Sequence, residues 1–264
     1  MARINAALLP VLRDFDRGLR ALGVPYGVIG ALVPELLLDV APPRMTNDAD
    51  VVVVVGSLAA FATLKGQLGA YGFTQTWLVH RLQHRGGGMV DLLPIDESAG
   101  DRTRVELSDG VVFNMAGLDA VIPHAMPTTI DGGLTLPLAP LPLFALLKLV
   151  AFSDRQQAKD LAGVWHCLQH YAEHDDRRYG LEHAGEPVPY EFTSAYLLGL
   201  DGRRFVDAAL RQPVDAVLHR FTDPDAVVVG LVAGEGGRWA DDRVRIEVFE
   251  SFRWYQLAVT GTSR

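Results

Sequence analysis

Asp48 and Asp50 open the run Asp48-Ala49-Asp50-Val51-Val52-Val53-Val54-Val55. The two-residue period of a strand sets both carboxylates on one face. Two anions so close repel unless a cation lies between them. A hard divalent ion such as Mg²⁺, which takes oxygen ligands and leaves positions open for phosphates, meets that need. Read alone, an Asp-x-Asp is more often an acidic turn that merely starts a strand. Its surroundings add to it. Asp91 stands alone in the apolar run Met89-Val90-Asp91-Leu92-Leu93, where a carboxylate buried without a partner is costly, and a third acidic ligand from a neighbouring strand accounts for it. Upstream, Gly30-Ala31 links the apolar run Tyr26 to Ile29 to a helical stretch, where free backbone N–H groups can hold a phosphate.

The cations are unevenly divided. Of 24 basic residues only Lys65, Lys148 and Lys159 are lysines. On one continuous helix, Lys148, Arg155 and Lys159 would fall within about 40° of one another, a stripe that suits a triphosphate. Ser153-x-x-Gln156 resembles a capping box that would instead break the helix there. A solvated helix face is the plain alternative, although a chain that uses arginine almost everywhere has kept lysine where a compact ammonium suits phosphate. Lys65 reads as an ordinary surface lysine.

The elements that must position these groups follow from periodicity. Residues 3–22 form an amphipathic helix, stopped by Gly23 and Pro25. A strand at 26–29, a helix from Leu32 to about Val40, and a central strand buried on both faces at 48–55 come next. Gly56-Ser57 caps a helix over 58–70. Strands at 74–82 and 88–95 are joined at Gly86-Gly87-Gly88, and short strands and turns fill 96–140. From Leu141 the chain reads as helical, over 141–152, 156–171, 191–199, 203–220 and 240–257, with a polar linker near 180–189. The fold expected is α/β (α+β), a mixed sheet with flanking helices over residues 1–140 and a mainly helical domain over 141–264.

With Arg44-Met45-Thr46-Asn47-Asp48-Ala49-Asp50 after Gly30-Ala31 and Val90-Asp91 later, the chain resembles the polymerase-β-type nucleotidyltransferase superfamily. Lys148 and Arg155-Gln156-Gln157-Ala158-Lys159-Asp160-Leu161 are similar to the AbiEii/MenT-like proteins within it, many of them toxins of toxin–antitoxin pairs. The resemblance covers roughly residues 20–170. It implies a nucleotidyltransferase-fold core, an active site between the two domains, and transfer of an NMP from a nucleoside triphosphate to an acceptor hydroxyl. Asp48, Asp50 and Asp91 would hold Mg²⁺, two ions in all. Gly30, Ala31, Arg44, Thr46, Lys148 and Lys159 would bind the nucleotide, and Asp160 would orient a lysine. The acceptor it implies is RNA such as the 3′ end of tRNA, with a cognate antitoxin as protein partner. The family's glycine is usually followed by Gly or Ser. Ala31 keeps the backbone contacts and loses a hydroxyl.

Two other functions fit the same core: a small-molecule nucleotidyltransferase of the antibiotic-modifying kind, and a non-catalytic nucleotide-binding module, which three intact carboxylates disfavour. The chain of 264 residues has a net charge of −8, which argues against a general nucleic-acid coat protein. His80, Arg81, His84 and Arg85 form a local basic cluster that suits a nucleotide or RNA backbone, or simply a hairpin tip. His166, His170 and His174 recur every four residues, a spacing for a transition metal or for a partly exposed helix face. The single Cys167 forms no internal disulfide, no apolar run approaches the length of a membrane span, and the expected location is cytoplasmic.

Overall fold

The chain divides into two compact units, one of Met1–Leu37 and Arg44–Pro140, the other of Leu38–Pro43 and Leu141–Arg264. The computed structural model describes residues 4–40, 46–235 and 241–261. Arg44, expected at the nucleotide, lies outside the described residues.

The first unit runs α1 (Leu8–Ala21), β1 (Tyr26–Ile29), α2 (Leu32–Leu37), β2 (Asp48–Val55), α3 (Leu58–Gln67), β3 (Phe73–Gln75), β4 (Arg81–His84) and β5 (Met89–Asp96). It continues through β6 (Arg104–Glu106), β7 (Val112–Asn114), α4 (Val121–His124), β8 (Met126–Thr129) and β9 (Thr135–Leu138). Seven strands make one mixed sheet in the order β3-β4-β5-β2-β1-β9-β8. β2 is its middle strand, antiparallel to β1 and parallel to β5. That place explains the run of valines: Val51, Val52 and Val53 are wholly buried, as a strand covered on both faces requires. α1 buries Leu8, Val11, Leu12, Phe15 and Leu19, the three- and four-residue repeat of its sequence. Gly23, at φ +67°, ends it, and the Val24 N–H reaches back to the Leu19 carbonyl at 3.0 Å, a Schellman closure. Ser57 caps α3, its hydroxyl accepting from the Ala60 N–H at 3.1 Å.

Several expectations for this unit change. The strand expected at 74–82 is a hairpin, β3 and β4, because the Thr76 hydroxyl accepts from the Leu78 N–H at 3.1 Å and turns the chain. β8 and β9, within the stretch read only as short strands and turns, extend the main sheet beside β1. Lys65 is no surface lysine: it is 4% exposed, its ammonium donates to the Val79 carbonyl at 2.6 Å and lies over the Phe61 ring, and burial holds its pKa below the ordinary lysine value.

The second unit holds α5 (Leu141–Arg155), α6 (Ala158–His170), a two-stranded hairpin of β10 (Glu182–His183) and β11 (Glu186–Pro187), α7 (Thr193–Gly202), α8 (Ala208–Leu218), α9 (Val227–Gly234) and α10 (Asp242–Thr260). The hairpin replaces the polar linker. α8 begins later than its periodicity predicts because Asp207 caps it, accepting from the Leu210 N–H at 2.8 Å. α9 has no counterpart in the sequence reading, since its Val227-Val228-Val229 start is β-branched and favours strand. α7 and α10 approach so closely that a Cβ on Gly199 would lie 2.6 Å from the Tyr255 carbonyl oxygen. Among the described residues no helix is long and apolar enough to cross a membrane.

The role of Lys65 is measurable. Lys65→Ala removes the donor from a buried carbonyl and lowers stability by about 1–3 kcal/mol, read as a fall in the urea midpoint. An unchanged midpoint contradicts the buried role.

Candidate functional site

Strand register assembles the site in the first unit. Asp48 and Asp50 share a face of β2, and Asp50 pairs directly with Asp91 of the parallel β5. Asp91 in turn pairs with Arg81 of the antiparallel β4. Directly paired residues of neighbouring strands point to the same side, so three carboxylates and one guanidinium share one face. Arg81 grips Asp91 with both arms, Nε to Oδ1 and Nη2 to Oδ2 at 2.6 Å each. The same Nη2 stands 3.9 Å from Asp48 Oδ2. The hydrogen bond to Asp91 raises the Arg81 pKa against the cost of partial burial, and the charges of Asp91, Asp48 and Asp50 add to the rise. The guanidinium is therefore a permanent cation on this face.

A second chain of contacts fixes Asp48. The Thr46 hydroxyl donates to Asp48 Oδ1 at 2.6 Å, and the Thr46 N–H donates to Glu35 Oε2 at 3.3 Å. Glu35 is buried in α2, and burial raises its pKa although the Thr46 N–H pulls the other way. Gly30, just after β1, has φ +73°, and a Cβ there would lie 1.9 Å from Asp50 Oδ2. Glycine is required at 30 by its backbone and by Asp50, whatever ligand comes near. α2 spans only Leu32–Leu37 rather than reaching Val40, which leaves it little dipole for an anion. Ala31 is half-buried in the turn between Gly30 and α2.

A hard divalent cation fits the donor chemistry of this face, three carboxylates at adjacent positions of neighbouring strands. As the side chains stand, Arg81 takes both oxygens of Asp91. Among the described residues no three His, Cys, Asp or Glu side chains form a group that could hold a metal ion.

Lys148, Arg155 and Lys159 lie in the second unit, and the single stripe of three cations is not formed. α5 runs through Ser153 and Asp154 to Arg155, so Ser153 caps nothing. The break comes at Gln156, whose φ is +53° and whose amide donates to the carbonyls of Phe152 and Ser153, closing the end of α5. Beyond the break α6 returns Asp160, fully buried, to α5. Lys148 donates to Asp160 Oδ1 at 3.1 Å, and Arg155 bridges both Asp160 oxygens. Burial pushes the Asp160 carboxyl up, but the hydrogen bonds and charges of Arg155 and Lys148 outweigh it and hold the pKa below the usual carboxylate range. Lys159 is exposed on α6 and takes no part in this cluster.

Two other groupings dissolve. The basic cluster of 80–85 is not one surface: Arg81 is on Asp91, His80 packs edge-on against Phe113, and His84 is buried with Nε2 3.1 Å from Asp14. Of the four, Arg85 is the exposed one. The histidine repeat is not one helical face either, since α6 ends at His170. His166 bonds the Val40 carbonyl at 3.0 Å, His170 pairs with Glu173, and His174 lies near Asp39. Cys167 is buried and burial pushes its thiol pKa far up, which makes it inert.

Sequence reasoning missed Arg81 as the partner of Asp91, and it missed Glu35. Both left signals. A hairpin closed at Gly86-Gly87-Gly88 brings Arg81 opposite Asp91, and Glu35 is a lone carboxylate in the apolar run Leu32-Val33-Pro34-Glu35-Leu36-Leu37-Leu38.

No family model matches the chain, and no curated protein matches it. Among solved structures it is similar to an antigenic nucleotidyltransferase-like protein from Paracoccidioides brasiliensis, at 17% identity and a TM-score of 0.40, over 62% of this chain and 76% of that one. It is similar to JHP933 from Helicobacter pylori, at 12% identity and a TM-score of 0.42, over 98% of this chain and 94% of the other. The antibiotic-resistance factor ANT(2'')-Ia is a third, at 10% identity and a TM-score of 0.37, over 83% of this chain and 95% of that one. At these values the likeness says nothing about chemistry.

Proposed function

We propose that this protein is a Mg²⁺-dependent nucleotidyltransferase that moves an NMP from a nucleoside triphosphate to an acceptor hydroxyl. The observation that carries the reading is the placing of Asp48, Asp50 and Asp91 on one face of adjacent strands. When bound by these carboxylates, Mg²⁺ (two ions, as the resemblance implies) supplies Lewis-acid charge at the attacking oxygen and at the departing pyrophosphate. The acceptor oxygen bonds to the α-phosphorus as the bond to pyrophosphate breaks, and Asp91 takes the hydroxyl proton. Thr46 holds Asp48 through Oδ1, leaving Oδ2 to face the site, and Glu35 holds Thr46. The backbone of Gly30 and Ala31 receives phosphate oxygens. Lys148, oriented by Asp160, neutralises the phosphates, with Lys159 and Arg44 as further cations.

For the acceptor, one reading is the 3′ end of tRNA, with the protein acting as an AbiEii/MenT-like toxin held in check by an antitoxin. It rests on the motif resemblance. The other reading is a small-molecule hydroxyl, as in antibiotic-modifying enzymes. The net charge of −8 and the dispersal of His80, Arg81 and His84 into internal contacts favour the second, since an RNA backbone calls for a continuous basic surface. Growth arrest on expression, relieved by a co-expressed neighbouring gene product, would decide for the first.

Two substitutions test the chemistry. Asp48→Asn abolishes transfer of labelled nucleotide without changing the thermal midpoint, and undiminished transfer by the folded variant contradicts the mechanism. Lys148→Ala weakens triphosphate binding roughly tenfold, while Arg211→Ala, at an exposed position of α8, leaves it unchanged. Equal effects of the two contradict the role of Lys148.

A further inference from the structure

The face that offers three carboxylates already carries a cation of its own. Arg81 holds Asp91 through two parallel hydrogen bonds of 2.6 Å and reaches to 3.9 Å from Asp48. A bidentate charge-assisted pair of this kind is among the stronger polar contacts a protein makes. Its partner on β5 is 15% exposed, so water screens the pair only in part. A guanidinium does not lose its proton in a protein, so Arg81 can yield the carboxylates only by moving. A planar fork that leaves a carboxylate finds an equivalent partner in a phosphate, whose oxygens match its spacing.

We propose that Arg81 is an internal counter-ion that competes with divalent cations for Asp91 and Asp48, and that a polyphosphate draws it off, so that metal and triphosphate load together. The inference rests on the carboxylate face being the metal site. Metal entry then requires the Arg81 arms to leave Asp91 Oδ1 and Oδ2, and a phosphate chain next to β4 provides the new partner. The arrangement offsets one of the three negative charges of the acidic face when no nucleotide is present. It also gives Arg81 two roles of opposite sign, against the cation and for the anion. A merely structural arginine has neither.

The test uses the full chain and two probes apart: Mn²⁺ alone, followed by the electron paramagnetic resonance of the free ion, and tripolyphosphate in EDTA, followed by calorimetry. Arg81→Gln binds Mn²⁺ about tenfold more tightly than the wild type and tripolyphosphate about tenfold more weakly. Arg81→Lys, which keeps the charge and loses the fork, shifts both in the same directions by less, and serves if the glutamine variant does not fold. In Arg81→Gln/Asp91→Asn the gain in Mn²⁺ affinity disappears. Equal or weaker Mn²⁺ binding by a folded Arg81→Gln, or unchanged tripolyphosphate binding, overturns the competition. A gain that survives in the double variant places the ion elsewhere, and then the carboxylate-site reading itself fails.

Discussion

The pairing of Asp50 with Asp91 across β2 and β5, and of Asp91 with Arg81 across β5 and β4, is the constraint on which the site depends. A strand has a period of two, so one residue of slip in either pairing would turn a carboxylate to the opposite face. The register is held by what lies behind it. Val51 and Val53 of β2 and Leu92 of β5 are buried to near zero exposure, and a slip would bring apolar side chains out of the core while sending charge in, at a cost of several kcal/mol. The parallel pairing of β2 with β5 runs for eight residues, from Asp48↔Met89 to Val55↔Asp96. The hydrophobic run and the acidic face are one design: the valines fix the register that the aspartates use.

Each unit contains a partly or fully buried charge cluster in which one residue gathers two opposite charges from neighbouring elements: two strands in the first unit, one helix in the second. In the first unit Arg81 gathers Asp91 and Asp48. In the second, Asp160 gathers Lys148 and Arg155. The Asp160 cluster depends on an unusual backbone, Gln156 at φ +53°, because only a sharp break after Arg155 lets α6 return its third residue to the side of α5. Removing Asp160 would leave two cations facing each other across a half-buried space, a costly arrangement without an anion. Asp160 thus fixes where the Lys148 ammonium and the Arg155 guanidinium lie.

Much of this was legible in the sequence because it follows from local rules. The central strand at 48–55, the Ser57 cap, the helix stop at Gly23 and the period-two placing of Asp48 and Asp50 are consequences of side-chain type and spacing alone. What could not be read depends on tertiary contacts. Lys65 stands between Leu64 and Gly66 on a helix, and a lysine there reads as solvated. Only the folded chain brings the Val79 carbonyl to it. The strand expected at 74–82 fails because a threonine hydroxyl competes with the ladder at Thr76. The cluster at 80–85 looks like a basic patch because two histidines and two arginines are near in sequence, yet the alternation of β4 and the approach of α1 send Arg81 to Asp91 and His84 to Asp14. Proximity along the chain is a poor guide to a common surface once a strand intervenes.

Incubation of the purified protein with Mg²⁺ and each α-labelled nucleoside triphosphate in turn, with and without total RNA, tests the proposed chemistry most directly. The account predicts that at least one triphosphate gives pyrophosphate and transfers its label to an acceptor in the wild type, and that Asp91→Asn gives neither. Pyrophosphate and labelled product formed equally by wild type and Asp91→Asn, or formation of neither by the wild type with any of the triphosphates, would contradict it.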